Sequence, residues 1–94
     1  MSAEAAGVGG LLRMPHHVYI IQSEAHPSEF YTGMCTDVAS RLGDHNSGKS
    51  NHTAKFRPWK LVFHCWFDDP HKAVAFEKYL KSGSGRAFAS KRLR

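Results

Sequence analysis

The chain has 94 residues, 41% of them hydrophobic and 22% charged, with a formal net charge of +5. That length gives one domain with a thin core, and no apolar run approaches the about 20 residues of a membrane-spanning helix. The charge is uneven: residues 1–47 hold two basic and five acidic side chains, residues 48–94 eleven basic and three acidic, a net of −3 against +8. Such a skew suits a polyanionic partner for the second half.

Met1 to Pro15 is rich in Ala and Gly and lacks periodicity, so it reads as a mobile tail ahead of a domain spanning 16–94. Met1 to Gly10 carries no Lys or Arg, unlike a secretory signal, and the cytoplasm is the expected compartment. His17 to Gln22 is β-branched and aromatic, a strand. Ser23 to Ser28, with Pro27, is a turn, and Glu29 to Met34 a second strand, so the pair should form an antiparallel hairpin. Thr36 is the expected N-cap of a first helix, with Asp37 in its first turn. The helix should run to about His45, bury Val38 and Leu42, and end at Asn46-Ser47-Gly48. Lys49 to Pro58 is polar and basic and reads as a loop. Trp59 to Phe67 is the most apolar stretch and is expected to be the central or best-buried strand. Asp69 as N-cap and Pro70 at the first helical position open a helix to about Ser82, with Ala73, Val74, Phe76 and Leu80 on its core face. Gly83-Ser84-Gly85 stops it, and Arg86 to Leu93 forms a short last helix. The order β-β-α-β-α-α defines an α+β domain, a small three-stranded antiparallel sheet flanked by helices. A monomer is the expected state.

Cys35 and Cys65 lack metal-type spacing and read as reduced, buried thiols. None of the seven histidines pairs with a Cys or His at the spacing of a structural zinc site.

Glu77 lies three or four residues from Ala73, Val74, Leu80 and Lys81. Two readings are open: an ion pair with Lys81 at the core boundary, or a carboxylate aimed into a cleft where it could ligate Mg²⁺ or Mn²⁺. Arg41 and His45 share one helix face; they are either surface and helix-end residues, or a phosphate clamp and a proton-transfer group. Tyr19 and Tyr31, one in each hairpin strand, are packing residues or phenols facing a common cleft.

Taken in order, these pieces form a pattern. Val18-Tyr19-Ile20, then Phe30-Tyr31-Thr32-Gly33, resemble the paired strands of the GIY-YIG nuclease superfamily. Arg41, in Ala39-Ser40-Arg41-Leu42-Gly43-Asp44-His45, stands where that family has an arginine, and His45 where it often has His or Tyr. Glu77, in Ala75-Phe76-Glu77-Lys78, matches the family's glutamate. The resemblance covers about residues 16–93 and is nearest to small stand-alone bacterial members. It extends to the amino-terminal nuclease domain of the excision-repair incision subunit and to the catalytic domains of some homing endonucleases. Val18 and Thr32 depart from the family's usual strand residues. The asparagine that the family places in the last helix is missing from Arg86 to Lys91, with Ser90 and Lys91 as candidate replacements.

The resemblance implies a metal-dependent endonuclease acting on nucleic acid, DNA above all, with other repair or recombination proteins as partners. Glu77 would hold one divalent ion, Mg²⁺ or Mn²⁺, and Arg41 would neutralise charge on the phosphate. Tyr19, Tyr31 or His45 would orient or deprotonate water. Lys49, Lys55, Arg57, Lys60, Lys78, Lys81, Arg86, Lys91 and Arg92 would contact the backbone of the nucleic acid. The alternative is a binding module of the same fold with little or no activity.

Overall fold

The computed structural model describes residues 14–94; the expected tail lies outside them except for Met14 and Pro15. Strands β1 (His17–Ser23) and β2 (Phe30–Cys35) form the expected hairpin, with Tyr19 opposite Gly33 and Ile21 opposite Tyr31. Strand β3 (Trp59–Trp66) pairs antiparallel with the other edge of β1, giving the order β2-β1-β3. The α+β architecture expected from the sequence is therefore present.

The central strand is β1, which corrects the expectation for Trp59 to Phe67. Val18, Tyr19, Ile20 and Ile21 are buried in unbroken succession, whereas β3 is an edge strand anchored by buried Trp59 and ending in Trp66, which is 57% exposed. A strand covered on both faces reads as a continuous apolar run. In β3, Lys60 and His64 interrupt the run and face outward. The two faces of β1 serve different layers. Val18 and Ile20 pack with Ala73 and Leu80 of α3 (Pro70–Lys81) and Ala89 of α4 (Gly83–Arg92). Tyr19 and Ile21 pack with Cys35, Trp59 and Phe56, and with Val38 and Leu42 of α1 (Val38–Ser47).

Helix boundaries differ from the sequence reading in ways the caps explain. Asp37, not Thr36, caps α1 by accepting from the Ser40 amide at 3.1 Å, and the helix continues to Ser47 before Gly48 closes it. The segment read as a loop holds a short helix, α2 (Asn51–Ala54). Asn46 fixes it in place: its side chain donates to the Trp59 carbonyl at 3.0 Å and accepts from the Trp59 amide at 2.6 Å. The Trp59 indole N–H in turn donates to the Thr53 carbonyl at 2.9 Å. Asp69 and Pro70 open α3 as expected. Helix α4 begins at Gly83 rather than Arg86, because the Ser82 hydroxyl accepts from the Gly85 amide at 3.1 Å and caps it. Cys35 is buried, Cys65 only half-buried, and both are free thiols. No helix among the described residues is long and apolar enough to cross a membrane.

The α3–α4 junction gives a test of this packing. A Cβ on Gly85 would run into the Tyr79 carbonyl, while one on Gly83 would meet open space. Gly85→Ala is expected to destabilise the domain by about 1–3 kcal/mol, the usual cost of overpacking. Gly83→Ala should be neutral, or stabilising by up to about 1 kcal/mol. Urea unfolding of the two variants beside wild type measures the contrast; equal midpoints would refute the packing described for the junction.

Candidate active site

The hairpin register sets the first two site residues. Gly33 lies directly opposite Tyr19, and the phenol crosses the space that a side chain there would fill: a Cβ on Gly33 would stand 2.8 Å from Tyr19 Cζ. Glycine thus lets the Tyr19 ring lie flat across β2 towards α1. Its hydroxyl meets His45 Nε2 at 2.8 Å, and His45 Nδ1 meets Thr53 Oγ1 at 2.7 Å. His45 and Thr53 are 0% and 1% exposed, so this network is dry. Tyr31 covers it, with its ring centroid 5.0 Å from that of His45 and 6.3 Å from that of Tyr19. His52 of α2 stands beyond Tyr31, ring to ring at 6.0 Å.

Arg41 comes from the same face of α1 as His45, one turn earlier, and its guanidinium is set against the Tyr19 hydroxyl. Burial pushes the phenol up to about 12, and Arg41 only partly offsets this. Burial, helped by the charge of Arg41, lowers the pKa of His45, so the imidazole is neutral at neutral pH. Asp44 holds Arg41 and Lys49 from one side, at 3.7 and 3.5 Å. The arrangement presents a neutral hydroxyl, a neutral imidazole and a fixed positive charge, a set able to bind an anion and to pass a proton.

Glu77 belongs to the helix layer on the opposite face of the sheet. It is 8% exposed, and Lys81 Nζ lies 2.5 Å from its Oε2, so the helical ion pair that the spacing allowed is formed. Lys81 also lines a cavity of about 280 Å³ together with Tyr31, Thr32, His52, Arg86 and Arg94. That cavity joins the two halves of the site. Among the described residues, no group of three or more His, Cys, Asp or Glu side chains could hold a metal ion. A lone carboxylate fits a hydrated Mg²⁺ or Mn²⁺ that takes its remaining ligands from water and phosphate oxygens, which is how Mg²⁺ is commonly held. Glu77 already carries a cation on its oxygen, so the donor fits such an ion provided Lys81 withdraws.

Of the sequence candidates, Tyr19, Tyr31, Arg41 and His45 are brought together, and Glu77 stands apart, linked through Lys81. Lys81 and Arg86 face the cavity beside Tyr31. Lys55 lines a second cavity of about 290 Å³ with Tyr31, Phe56 and Trp59. Lys49 reaches Asp44, and the Arg57 guanidinium occupies the space that a Cβ on Gly48 would fill. Lys60 lies on β3, while Lys78, Lys91 and Arg92 are exposed on α3 and α4. Ser90 and Lys91 are also exposed; Ala89 is the residue of that turn that reaches the cavity. Sequence reasoning missed Thr53, His52, Asn46 and Arg94. The polar run Asn51-His52-Thr53 resembled any loop, and only its closure on His45 and Tyr31 gives it meaning.

The model of the GIY-YIG catalytic domain matches residues 15–91, and the chain belongs to that family. It is 39% identical over 66 residues to the structure-specific endonuclease subunit SLX1 of Scheffersomyces stipitis; the match covers 64% of this chain but 19% of that protein. It is 40% identical over 53 residues to a UPF0213 protein of Lacticaseibacillus paracasei, covering 55% of this chain and 60% of the relative. A UPF0213 protein of Streptococcus pneumoniae is 35% identical over 69 residues, covering 72% of this chain and 70% of the relative. No solved structure matches the chain.

The raised phenol makes a titration forecast. The absorbance that wild type has beyond Tyr19→Phe should rise near pH 12 rather than near 10. The unfolded chain releases the same proton near pH 10. Tyr19 therefore stabilises the fold fully below that value and loses the contribution as pH climbs to about 12. An ionisation near 10 for that absorbance would contradict the dry setting described here.

Proposed function

We propose that the chain is a divalent-metal-dependent endonuclease that hydrolyses phosphodiester bonds in DNA. The observation carrying this reading is the buried Tyr19–His45 hydrogen bond with Arg41 set against the phenol, opening beside Tyr31 onto a cavity lined by Lys81, Arg86 and Arg94. Family membership supports it, as does the similarity to SLX1, a structure-specific endonuclease subunit. That similarity also supports a structure-selected substrate and a partner protein for this chain.

In this reading the scissile phosphate lies between Arg41 and the cavity. Arg41 neutralises charge that develops on the phosphoryl oxygens. Tyr19, anchored on His45, orients the attacking water and receives its proton. Tyr31 walls the cleft and excludes bulk water from the imidazole. Lys81, Arg86 and Arg94 hold the flanking backbone by charge alone, with little sequence preference. Glu77 would hold the ion, which when bound supplies Lewis-acid polarisation of the phosphate and stabilises the leaving 3′ oxygen.

A second reading, a binding module without cleavage, is favoured by two features: the lysine seated on Glu77 and the lack of an asparagine on α4. Nicking of supercoiled plasmid and of a branched DNA in Mg²⁺ or Mn²⁺ separates the two. Wild type is expected to cleave. Tyr19→Phe should lose about 10²–10⁴-fold, the range of general acid–base contributions. Arg41→Ala should lose about 10²–10³-fold, as for removal of a charge-stabilising donor. Glu77→Gln should be inactive. Cleavage that survives Glu77→Gln defeats the nuclease assignment; DNA retention that weakens steeply with salt, without any cleavage, establishes the binding module.

A further inference from the structure

The imidazole of His45 has a hydroxyl on each nitrogen: Tyr19 on Nε2 at 2.8 Å and Thr53 on Nδ1 at 2.7 Å. A neutral imidazole has one N–H and one lone pair, so one hydroxyl must donate to it and the other must accept from it. The remaining neighbours decide which. Thr53 Oγ1 lies 3.4 Å from the Ser50 carbonyl, which can only accept. The Thr53 proton is therefore directed to Ser50, and the lone pair of its oxygen receives the Nδ1–H. That leaves the lone pair of His45 on Nε2, and the Tyr19 hydroxyl donates to it. The Tyr19 oxygen keeps its own lone pairs for Arg41, which can only donate. Every donor in this dry chain then has an acceptor, and the reverse order would turn the Tyr19 proton towards the Arg41 guanidinium, which is itself a donor.

We propose that Thr53 is a positioning residue that fixes the Nδ1–H tautomer of His45, so that Tyr19 acts as a proton relay and not as a phenolate base. The relay half rests on the nuclease reading above. When water attacks phosphorus, its proton passes to the Tyr19 oxygen, and the proton Tyr19 already carries passes to Nε2. Tyr19 stays neutral throughout, and His45 becomes an imidazolium whose Nδ1–H still rests on Thr53. Hydroxide forms the new P–O bond, and the leaving 3′ oxygen takes a proton from solvent. The imidazolium then returns its proton, through Tyr19, to bulk water.

The test is ¹⁵N NMR of the imidazole in the full chain, read beside plasmid nicking, for wild type, Thr53→Val and Thr53→Ser. Wild type is expected to show Nδ1 protonated and Nε2 bare. Thr53→Val keeps the shape of the side chain and removes the acceptor, so the N–H should move to Nε2. Its cleavage should fall about 10–100-fold, the scale of loss seen when the outer hydrogen-bond partner of a metal-bound histidine is removed. Thr53→Ser should restore both the tautomer and the rate. Wild type with Nε2 protonated, or Thr53→Val with Nδ1 still protonated, overturns the proposal. Should Thr53→Val fail to fold, the wild-type spectrum and the serine variant still decide the tautomer. If wild type shows the expected tautomer but does not cut, the relay falls with the nuclease reading and the positioning role of Thr53 stands.

Discussion

The site depends on one buried hydroxyl in a strand that is otherwise dry. β1 has a strand on each edge and helices on each face, and Val18 to Ile21 are all buried. A hydroxyl left without a partner there would cost about 1–3 kcal/mol. The fold supplies partners by placing His45 at the end of α1 and Thr53 in α2, and by holding those elements on Trp59 through Asn46. Gly33 clears the path across β2. The need to satisfy Tyr19 thus accounts for features spread over β2, α1, α2 and β3, and a chain that needed only a packed core would have used phenylalanine at residue 19.

That same dryness sets the charge state of the site. Burial resists ionisation of both the phenol and the imidazole, and Arg41 reinforces the neutral imidazole while drawing the phenol the other way. Around neutral pH the Tyr19–His45 pair is therefore uncharged, and the charge set against it is that of Arg41, with Asp44 and Lys49 to one side. Across β2, Lys81, Arg86 and Arg94 add further cations to a cavity that Tyr31 walls. An anion entering between the two groups meets positive charge on both sides and a neutral, hydrogen-bonded hydroxyl at the centre. The strong basic skew of residues 48–94 arises from elements that converge at this edge of the sheet and from others, such as Lys60 and Lys91, that do not.

Much of this was legible in the chain, for identifiable reasons. The hairpin, the Asp69-Pro70 helix start and the Ala73–Leu80 core face follow from local chemistry that acts over a few residues. The pairing of Arg41 with His45 follows from helical spacing. Three features were not legible, since each depends on contacts distant in sequence. β3 looks central by hydropathy, yet its place at the edge is decided by which edge of β1 the hairpin already occupies. Asn51-His52-Thr53 is a weak helix former, held by Trp59 and His45. Ala89, rather than Ser90 or Lys91, reaches the cavity because Ser82 starts α4 three residues earlier than the glycines suggested, which sets the phase of its faces.

Lys81 is the residue in which the two halves of the site compete. An i,i+4 pair with glutamate on the N-terminal side is the favourable order on a helix, yet it contributes only about 0.2–0.5 kcal/mol when solvent reaches it. The Lys81 side chain is 51% exposed, so the ammonium can move into water at little cost of its own, whereas Glu77 at 11% needs another cation in its place. A carboxylate so placed is held ready for a cation and is never left bare. In the metal-dependent reading, a divalent ion brought in with phosphate oxygens would offer Glu77 twice the charge of the ammonium it displaced. The released ammonium would then turn to the cavity it already lines, adding its charge to Arg86 and Arg94 where the backbone of a bound strand would pass.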